Sequence, residues 1–266
     1  MDWFSVAVMA LAFVDPRVKT AEASKLAELV RDIRSADYRG EREELRGLAA
    51  RLDGVKDPRL AAYREYWRGF ARWRRALNGF NETPSPADIQ EDLEGAIRSF
   101  RSALVHQPEW IEAKVGVAGC SASLLYLAGK DAKRREALLA EFLPVWKDMS
   151  EKGQQNPRVL WLVGGSQLSA PPPVGGDPVR AAATYHRALQ AARDEALRKD
   201  TLPEWVPTWG APENLMSLAY VHSQGALADR DVALAYADGT LAMVPDWHYV
   251  RDVLLPQIQA MPARAR

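Results

Sequence analysis

Two stretches of this chain, AIRSFRSALVHQPEW at 96–110 and ALAYADGTLAMVPDW at 233–247, follow the same pattern of side-chain sizes. In each stretch a small residue is followed four positions later by an aromatic or small residue, and three positions after that by another small residue. Each stretch then ends in Pro, an acidic residue and Trp. A third copy begins at 181 in AAATYHRALQAA. Such spacings share one helix face, where short side chains let a second helix approach closely, so we predict that each stretch is the second helix of an antiparallel pair. The key positions are Ala96, Phe100 and Ala103; Ala181, Tyr185 and Ala188; and Ala233, Ala237 and Thr240.

A matching first helix precedes the copies at 181 and 233. Leu160 and Gly164 lie before the copy at 181, and Leu215 and Ala219 lie before the copy at 233, each pair being a large and a small residue four positions apart. From residue 24 onward apolar residues recur at helical spacing, Gly and Pro interrupt the pattern, and no run alternates as a strand does. The sequence therefore predicts an all-α chain of about eleven helices.

Helix pairs with this spacing resemble those of the tetratricopeptide-repeat (TPR) family, whose repeating unit is a helix hairpin of about 34 residues. The resemblance implies a right-handed α-solenoid of stacked hairpins with a concave binding face. The best hairpins cover about 60–108, 157–192 and 211–247, and we expect a single TPR-like domain over residues 24–266. Because the hairpins are irregularly spaced, we take the fold from this resemblance and no individual binding residues.

One segment shows a second resemblance. NPRVLWLVGGSQLSAPPPVGGDPVRAAATYHRALQ (156–190) has a Pro-rich, Gly-Gly-Asp insert between two helices. It is similar to bacterial periplasmic TPR-like proteins such as the T-component of tripartite ATP-independent periplasmic transporters. This resemblance implies a protein partner such as the solute-binding component of a transporter, and a hydrophobic ligand. The T-component is a lipoprotein, whereas this chain has no cysteine near its N-terminal apolar run.

The first 23 residues allow two interpretations. The apolar run from Trp3 to Val14 is too short to cross a bilayer as a helix, but it has the length of the apolar region of a signal peptide. The sequence AEA at 21–23 fits a cleavage site, although the two residues before the apolar run carry no positive charge. Residues 1–23 are therefore either the signal peptide of a periplasmic protein or a first apolar helix, the latter in a cytoplasmic protein.

Composition and motifs argue against several classes of function. The 35 Lys and Arg residues balance the 35 Asp and Glu residues, whereas a nucleic-acid or acidic-membrane binder needs an excess of positive charge. The single cysteine, Cys120, excludes an intrachain disulfide, and the four histidines lack the spacing of metal ligands. The sequence GGDP at 175–178 lacks the ending of a P-loop and indicates a turn with a helix cap. Because no acid–base pair or nucleophile has a recognisable spacing, we expect neither an enzyme nor a cofactor or metal site.

The segment YREYWRGFARWRR (63–75) carries one group of candidate binding residues. Its aromatic residues fall largely on one helix face, which indicates a buried face. Arg68, Arg72 and Arg75 fall on the opposite face. They form either a solvated surface or a site for a carboxylate or an acidic peptide tail.

Tryptophan is abundant, with nine residues, and three of them form a second candidate group. Trp205 and Trp209 lie in a Pro-rich connector, TLPEWVPTWGAPEN (201–214), where no helix requires them. They either cap an exposed edge of the stack or, together with Trp161, wall a pocket for a ligand or peptide.

These observations favour a non-enzymatic scaffold or adaptor in the bacterial cell envelope that binds a protein or peptide on the concave face of a TPR-like array. The alternative is a carrier of a small hydrophobic molecule, accessory to a periplasmic transport system, with an apolar pocket near Trp161, Trp205 and Trp209. We expect no nucleic-acid partner and no stable transmembrane span.

Overall fold

The computed structural model of the protein describes residues 21–82, 85–198 and 202–262. These residues form eleven α-helices, numbered α1 to α11, and no β-strand, which confirms the all-α prediction. A short π-helix, Tyr249–Leu254, leads into α11. The α-helices run in order over Ala21–Tyr38, Arg42–Arg51, Ala61–Gly79, Pro86–His106, Ile111–Leu127, Ala132–Lys152, Pro157–Ser169, Pro178–Ala196, Ala211–His222, Arg230–Met243 and Leu255–Gln259.

Helix α1 begins at Ala21, so the AEA sequence at 21–23 forms its first turn. The apolar run Trp3–Val14, on which the signal-peptide prediction rests, lies outside the described residues. Within the described ranges, no helix is long and apolar enough to cross a membrane.

Polar side chains begin several helices by accepting hydrogen bonds from first-turn N–H groups. Asp177 accepts from the backbone N–H groups of Val179 and Arg180, and Pro178 is the first residue of α8. Gly175, with a φ of 99°, turns the chain just before this cap. The GGDP segment is therefore the turn and helix cap that the sequence predicted. The same capping role belongs to Asp131, Asn156 and Asp229.

The helices pack in sequence-adjacent pairs, from α1 with α2 to α9 with α10. Each odd-numbered helix up to α7 also packs on the next odd-numbered one, whereas the even-numbered helices make no comparably extensive contacts with one another in the described part of the chain. The odd-numbered helices therefore form a continuous inner row, and the even-numbered helices diverge on the outer side. This arrangement is consistent with the predicted solenoid of hairpins.

The repeated pattern of small and large residues marks the closest helix contacts. All of its key positions are buried in the three stretches. The Phe100 ring lies between Gly69 of α3 and Gly116 of α5, where added Cβ atoms would come within 3.0 and 2.4 Å of it. The Tyr185 ring lies over Gly164 of α7, where a Cβ atom would come within 2.5 Å. Small residues thus allow the close approach on which the predicted pairing depended.

The connector between α8 and α9, residues 202–210, folds back onto the inner row of helices. Trp209 is 1% exposed and packs against the rings of Phe70 and Trp73 in α3 and Trp161 in α7. The connector therefore fills the inner face of the array at the level of α3 and α7.

Hydrogen bonds between distant parts of the chain hold the connector in this position. The indole Nε1 of Trp209 donates to Oη of Tyr66 at 2.9 Å, and Nε1 of Trp67 donates to the backbone O of Trp205 at 2.7 Å. The buried Arg158 donates from Nη1 to the backbone O of Trp209 at 2.8 Å. Because Tyr66 and Trp67 lie on α3 and Arg158 lies on α7, these hydrogen bonds fix the connector to both helices.

The first helix also meets the C-terminal part of the chain. Tyr38, at the end of α1, donates from Oη to Oε1 of Glu213 in α9 at 2.9 Å, and its ring contacts Trp247 edge-on with centroids 4.9 Å apart. Next to Tyr38, the buried Asp37 has its Oδ2 2.7 Å from Nε of Arg74 in α3. Burial raises the pKa of Asp37, although the positive charge of Arg74 opposes the shift. The first hairpin therefore touches the last one, and the two ends of the array meet.

Candidate binding cleft

The three arginines that the sequence singles out, Arg68, Arg72 and Arg75, line one cleft of about 310 Å³, which we name the arginine cleft. Its floor is α3, and its walls come from α2, the turn after it, and α4. Between α2 and α4 this face of α3 is only partly covered, since Arg68 and Arg72 are half-buried and Arg75 is buried. The charged residues of the lining are Arg46, Arg68, Arg72, Arg75, Arg98, Asp53, Asp88, Glu91 and Asp92.

Helix geometry gives α3 two unlike faces. Residues at spacings of four and three share a face, so Arg68, Arg72 and Arg75 lie on the side opposite to the aromatic residues. Trp67 and Phe70 on that other side are fully buried in the core. One helix therefore supplies both the aromatic packing of the inner row and the charged floor of the cleft.

Two of the three cleft arginines on α3 are neutralised by nearby carboxylates. Arg75 Nη1 donates to both carboxylate oxygens of Asp92 at 2.6 Å, and Arg68 Nη1 donates to Oε2 of Glu65 at 2.6 Å. Arg68 also pairs with Asp53. Burial raises the pKa of Asp92, although its hydrogen bonds with Arg75 act in the opposite direction. These carboxylates fix the two guanidinium groups in the cleft.

Arg72 and Arg98 have no carboxylate partner among the described residues. Arg72 Nη1 donates to the backbone O of Gly95 at 3.2 Å, and Arg98 is exposed without a hydrogen bond or ion pair to the described part of the chain. Burial, and after it the positive charges of Arg68 and Arg98, lower the pKa of Arg72. Arg72 and Arg98 therefore add positive charge to the cleft without a bonded carboxylate. An incoming anionic group would stabilise this charge.

Sequence reasoning missed the contributions of the neighbouring helices, Arg46 from α2 and Arg98 from α4. A signal for the α4 wall exists, because Asp88, Gly95 and Arg98 lie close to one face at helical spacing. Gly95 leaves room for a guanidinium group, since an added Cβ would come within 3.1 Å of Arg72 Nη1. No pattern in the sequence predicts that this face of α4 lies opposite α2.

The structure separates the three candidate tryptophans from the arginines. Trp209 lies in the core, and the half-buried Trp161 donates from Nε1 to Oγ of Ser217 at 3.1 Å. Trp205 is half-buried in the connector and packs at the margin of the same core. At Trp161 and Trp209, where the sequence suggested part of an apolar pocket, the rings of Phe70 and Trp73 of α3 occupy the space beside the indoles.

The histidines and the cysteine lie elsewhere in the structure. His186 Nε2 is 3.3 Å from Oη of Tyr236, and the ring of His222 stacks on the same tyrosine. Cys120 is buried in α5, and burial raises the pKa of its thiol. In the parts of the chain that the structure describes, no three His, Cys, Asp or Glu side chains are placed to hold a metal ion. The arginine cleft is therefore the best-supported candidate site.

Comparison with known proteins identifies no relative of this chain. No protein-family model, no curated protein and no solved structure shows a significant match to the chain. The resemblance to TPR proteins therefore rests on the repeated residue pattern alone and stays a prediction.

Proposed function

We propose that this protein is a non-enzymatic binding scaffold that holds an acidic segment of a partner protein in the arginine cleft. The observation that carries the proposal is that Arg72 and Arg98 line the same cleft and neither has a carboxylate partner among the described residues. Guanidinium groups bind carboxylates through two parallel hydrogen bonds, which makes an acidic side chain or a chain terminus a matching ligand.

The other charges of the cleft favour a peptide over an isolated anion. Asp53, Asp88 and Glu91 also line the cleft and repel negative charge. A ligand must therefore place its carboxylates beside the arginines and keep them away from these residues, which an extended segment with defined spacing does better than a freely diffusing ion. We expect modest affinity that falls as the salt concentration rises.

The proposed site differs from the concave face that the TPR resemblance implied. A partner on the inner face would have to displace Trp209, which packs there against Phe70 and Trp73. The arginine cleft requires no such displacement, because it is already an open volume of about 310 Å³ between α2, α3 and α4. The same packing disfavours an apolar pocket at Trp209, on which the alternative of a hydrophobic carrier partly depends.

Export to the cell envelope is part of this proposal and rests on the sequence at 1–23. It agrees with the resemblance to periplasmic TPR-like proteins, for which the partner would be a transporter component. N-terminal sequencing of the protein from fractionated cells tests it. A chain that begins after the AEA site in the periplasmic fraction supports export, and an intact Met1 in the cytosolic fraction contradicts it.

The binding proposal is tested by titrating the protein into fluorescein-labelled hexaglutamate and measuring fluorescence anisotropy. The double variant Arg72→Gln/Arg98→Gln is expected to raise Kd about tenfold or more, because a hydrogen bond to a charged group is worth roughly 1.5–3 kcal/mol and each 1.4 kcal/mol is a factor of ten.

The matched control is Arg180→Gln/Arg187→Gln, which removes two charges from exposed arginines on α8. This control is expected to bind hexaglutamate as the unmodified chain does. Equal losses in the two double variants, or no saturable binding to the unmodified chain, would contradict the proposal.

A further inference from the structure

A second cleft, of about 720 Å³, lies where α1 meets the connector and the segment after α10. We name it the seam cleft, since it lies where the two ends of the array touch. It shares no lining residue with the arginine cleft. Its volume falls within the range of roughly 300–1,000 Å³ that is typical of small-molecule sites.

Part of the seam cleft is apolar. Val30 of α1 faces it, together with Pro203 and Val206 of the connector and Val244 after α10. Met243 lies at the rim with 53% of its surface exposed. Val30 is already buried, so an apolar ligand surface would remove from water mainly Met243 and the half-buried Pro203, Val206 and Val244.

The other part of the seam cleft is lined by three arginines, two on α1 and Arg39 directly after it. Arg31 pairs with Glu204, and Arg39 Nη2 donates to Oε2 of Glu41 at 2.7 Å. Arg34 lies between them and makes no hydrogen bond or ion pair with the described residues.

The lining as a whole carries three arginines against two carboxylates, Glu204 and Asp246. Arg34 is therefore the positive charge in this cleft that lacks a counterion among the described residues. A ligand with one acidic group would supply that counterion.

We propose that the seam cleft binds a small amphipathic carboxylate. Its acid group pairs with Arg34, and its apolar body lies against Val206, Val244 and Met243. This activity goes beyond the capture of an acidic protein segment, because it uses other residues, an apolar body and a ligand of different size. It does not depend on the arginine cleft.

The test is isothermal titration calorimetry of the full chain with decanoate and with its neutral counterpart decanol, both below the concentrations at which they aggregate. Saturable binding of decanoate is expected, at least about tenfold tighter than that of decanol, because decanol lacks the charge-assisted hydrogen bonds to Arg34. Arg34→Gln is expected to reduce decanoate affinity to the level of decanol. Met243→Glu is expected to weaken both ligands by adding charge at the apolar rim.

Two controls separate this inference from the proposed function. Arg187→Gln removes one positive charge from α8 and is expected to leave decanoate binding unchanged, and so is Arg72→Gln in the arginine cleft. Hexaglutamate is expected not to displace decanoate. Equal affinity for decanoate and decanol, unchanged binding in Arg34→Gln, displacement by hexaglutamate, or no saturable binding of decanoate would each overturn the inference.

Discussion

At the scale of single residues, glycines inside helices mark the points where neighbouring helices come closest. Gly116 and Gly164 face the rings of Phe100 and Tyr185 across a space too narrow for a methyl group. Glycine costs helix stability, so its presence in α5 and α7 is explained by what lies opposite it. The repeated pattern of the sequence therefore reflects a steric requirement at these contacts.

Gly116→Ala and Gly164→Ala are each expected to lower the free energy of unfolding by about 1–3 kcal/mol, because the added methyl group forces a buried ring to move. Gly47→Ala is the matched control, since Gly47 lies inside α2 with nothing within 4 Å of an added Cβ. It is expected to raise stability by about 0.5–1 kcal/mol through helix propensity. Urea denaturation followed by circular dichroism measures all three, and stabilisation by Gly164→Ala would show that the contact is not close.

At the scale of helices, a buried ion pair ties α1 to α3. Asp37 and Arg74 are both buried, and Asn78 of α3 adds a hydrogen bond from Nδ2 to the backbone O of Asp37 at 3.0 Å. Glu213 of α9 contributes a further negative charge near the pair. Removing one member leaves an uncompensated charge in a dry environment, which costs more than the pair contributes.

Asp37→Asn is expected to destabilise the protein by about 3 kcal/mol, at the low end for a broken buried pair because Glu213 still opposes the charge of Arg74. The double variant Asp37→Asn/Arg74→Gln is expected to lose at least about 1 kcal/mol less than the sum of the two single losses. A double-mutant cycle of unfolding free energies measures this coupling. Strict additivity would mean that the two side chains do not act as a pair.

Much of the helix level was accessible from the sequence. Apolar residues at spacings of three and four located the helices, and Asp177 with Pro178 predicted the start of α8. Both features depend only on residues close together in the sequence. The same spacing placed Arg68, Arg72 and Arg75 on one face. It did not foresee that Arg75 is buried against Asp92, since that depends on how α4 packs on α3.

At the scale of the whole molecule, contacts between residues far apart in the sequence hold the array together and join its two ends. Trp209 and Tyr66 are hydrogen-bonded across 143 residues, and Tyr38 meets Glu213 across 175. No local spacing encodes such contacts, which is why the sequence left Trp205 and Trp209 as either an edge cap or a pocket wall. The arginine cleft was likewise only partly predictable, because Arg98 joins Arg72 through the packing of two helices.

Trp209→Ala is expected to lower the free energy of unfolding by about 3–5 kcal/mol, since the side chain is buried between α3 and α7. Its folded fraction is expected to bind labelled hexaglutamate with unchanged affinity, because the arginine cleft lies on the opposite face of α3. Urea denaturation and anisotropy on the same preparation measure both quantities. A loss of peptide affinity with little loss of stability would indicate that Trp209 is part of the binding site.

The central claim is that the arginine cleft is the surface that receives an acidic segment. Phenylglyoxal modifies accessible arginines, and mass spectrometry of the intact chain's digest with and without hexaglutamate reports which of them the peptide covers. We predict that the peptide slows modification of Arg72 and Arg98 and leaves Arg180 and Arg187 on α8 unaffected. Equal protection of all four arginines, or no protection of Arg72 and Arg98, would contradict the claim.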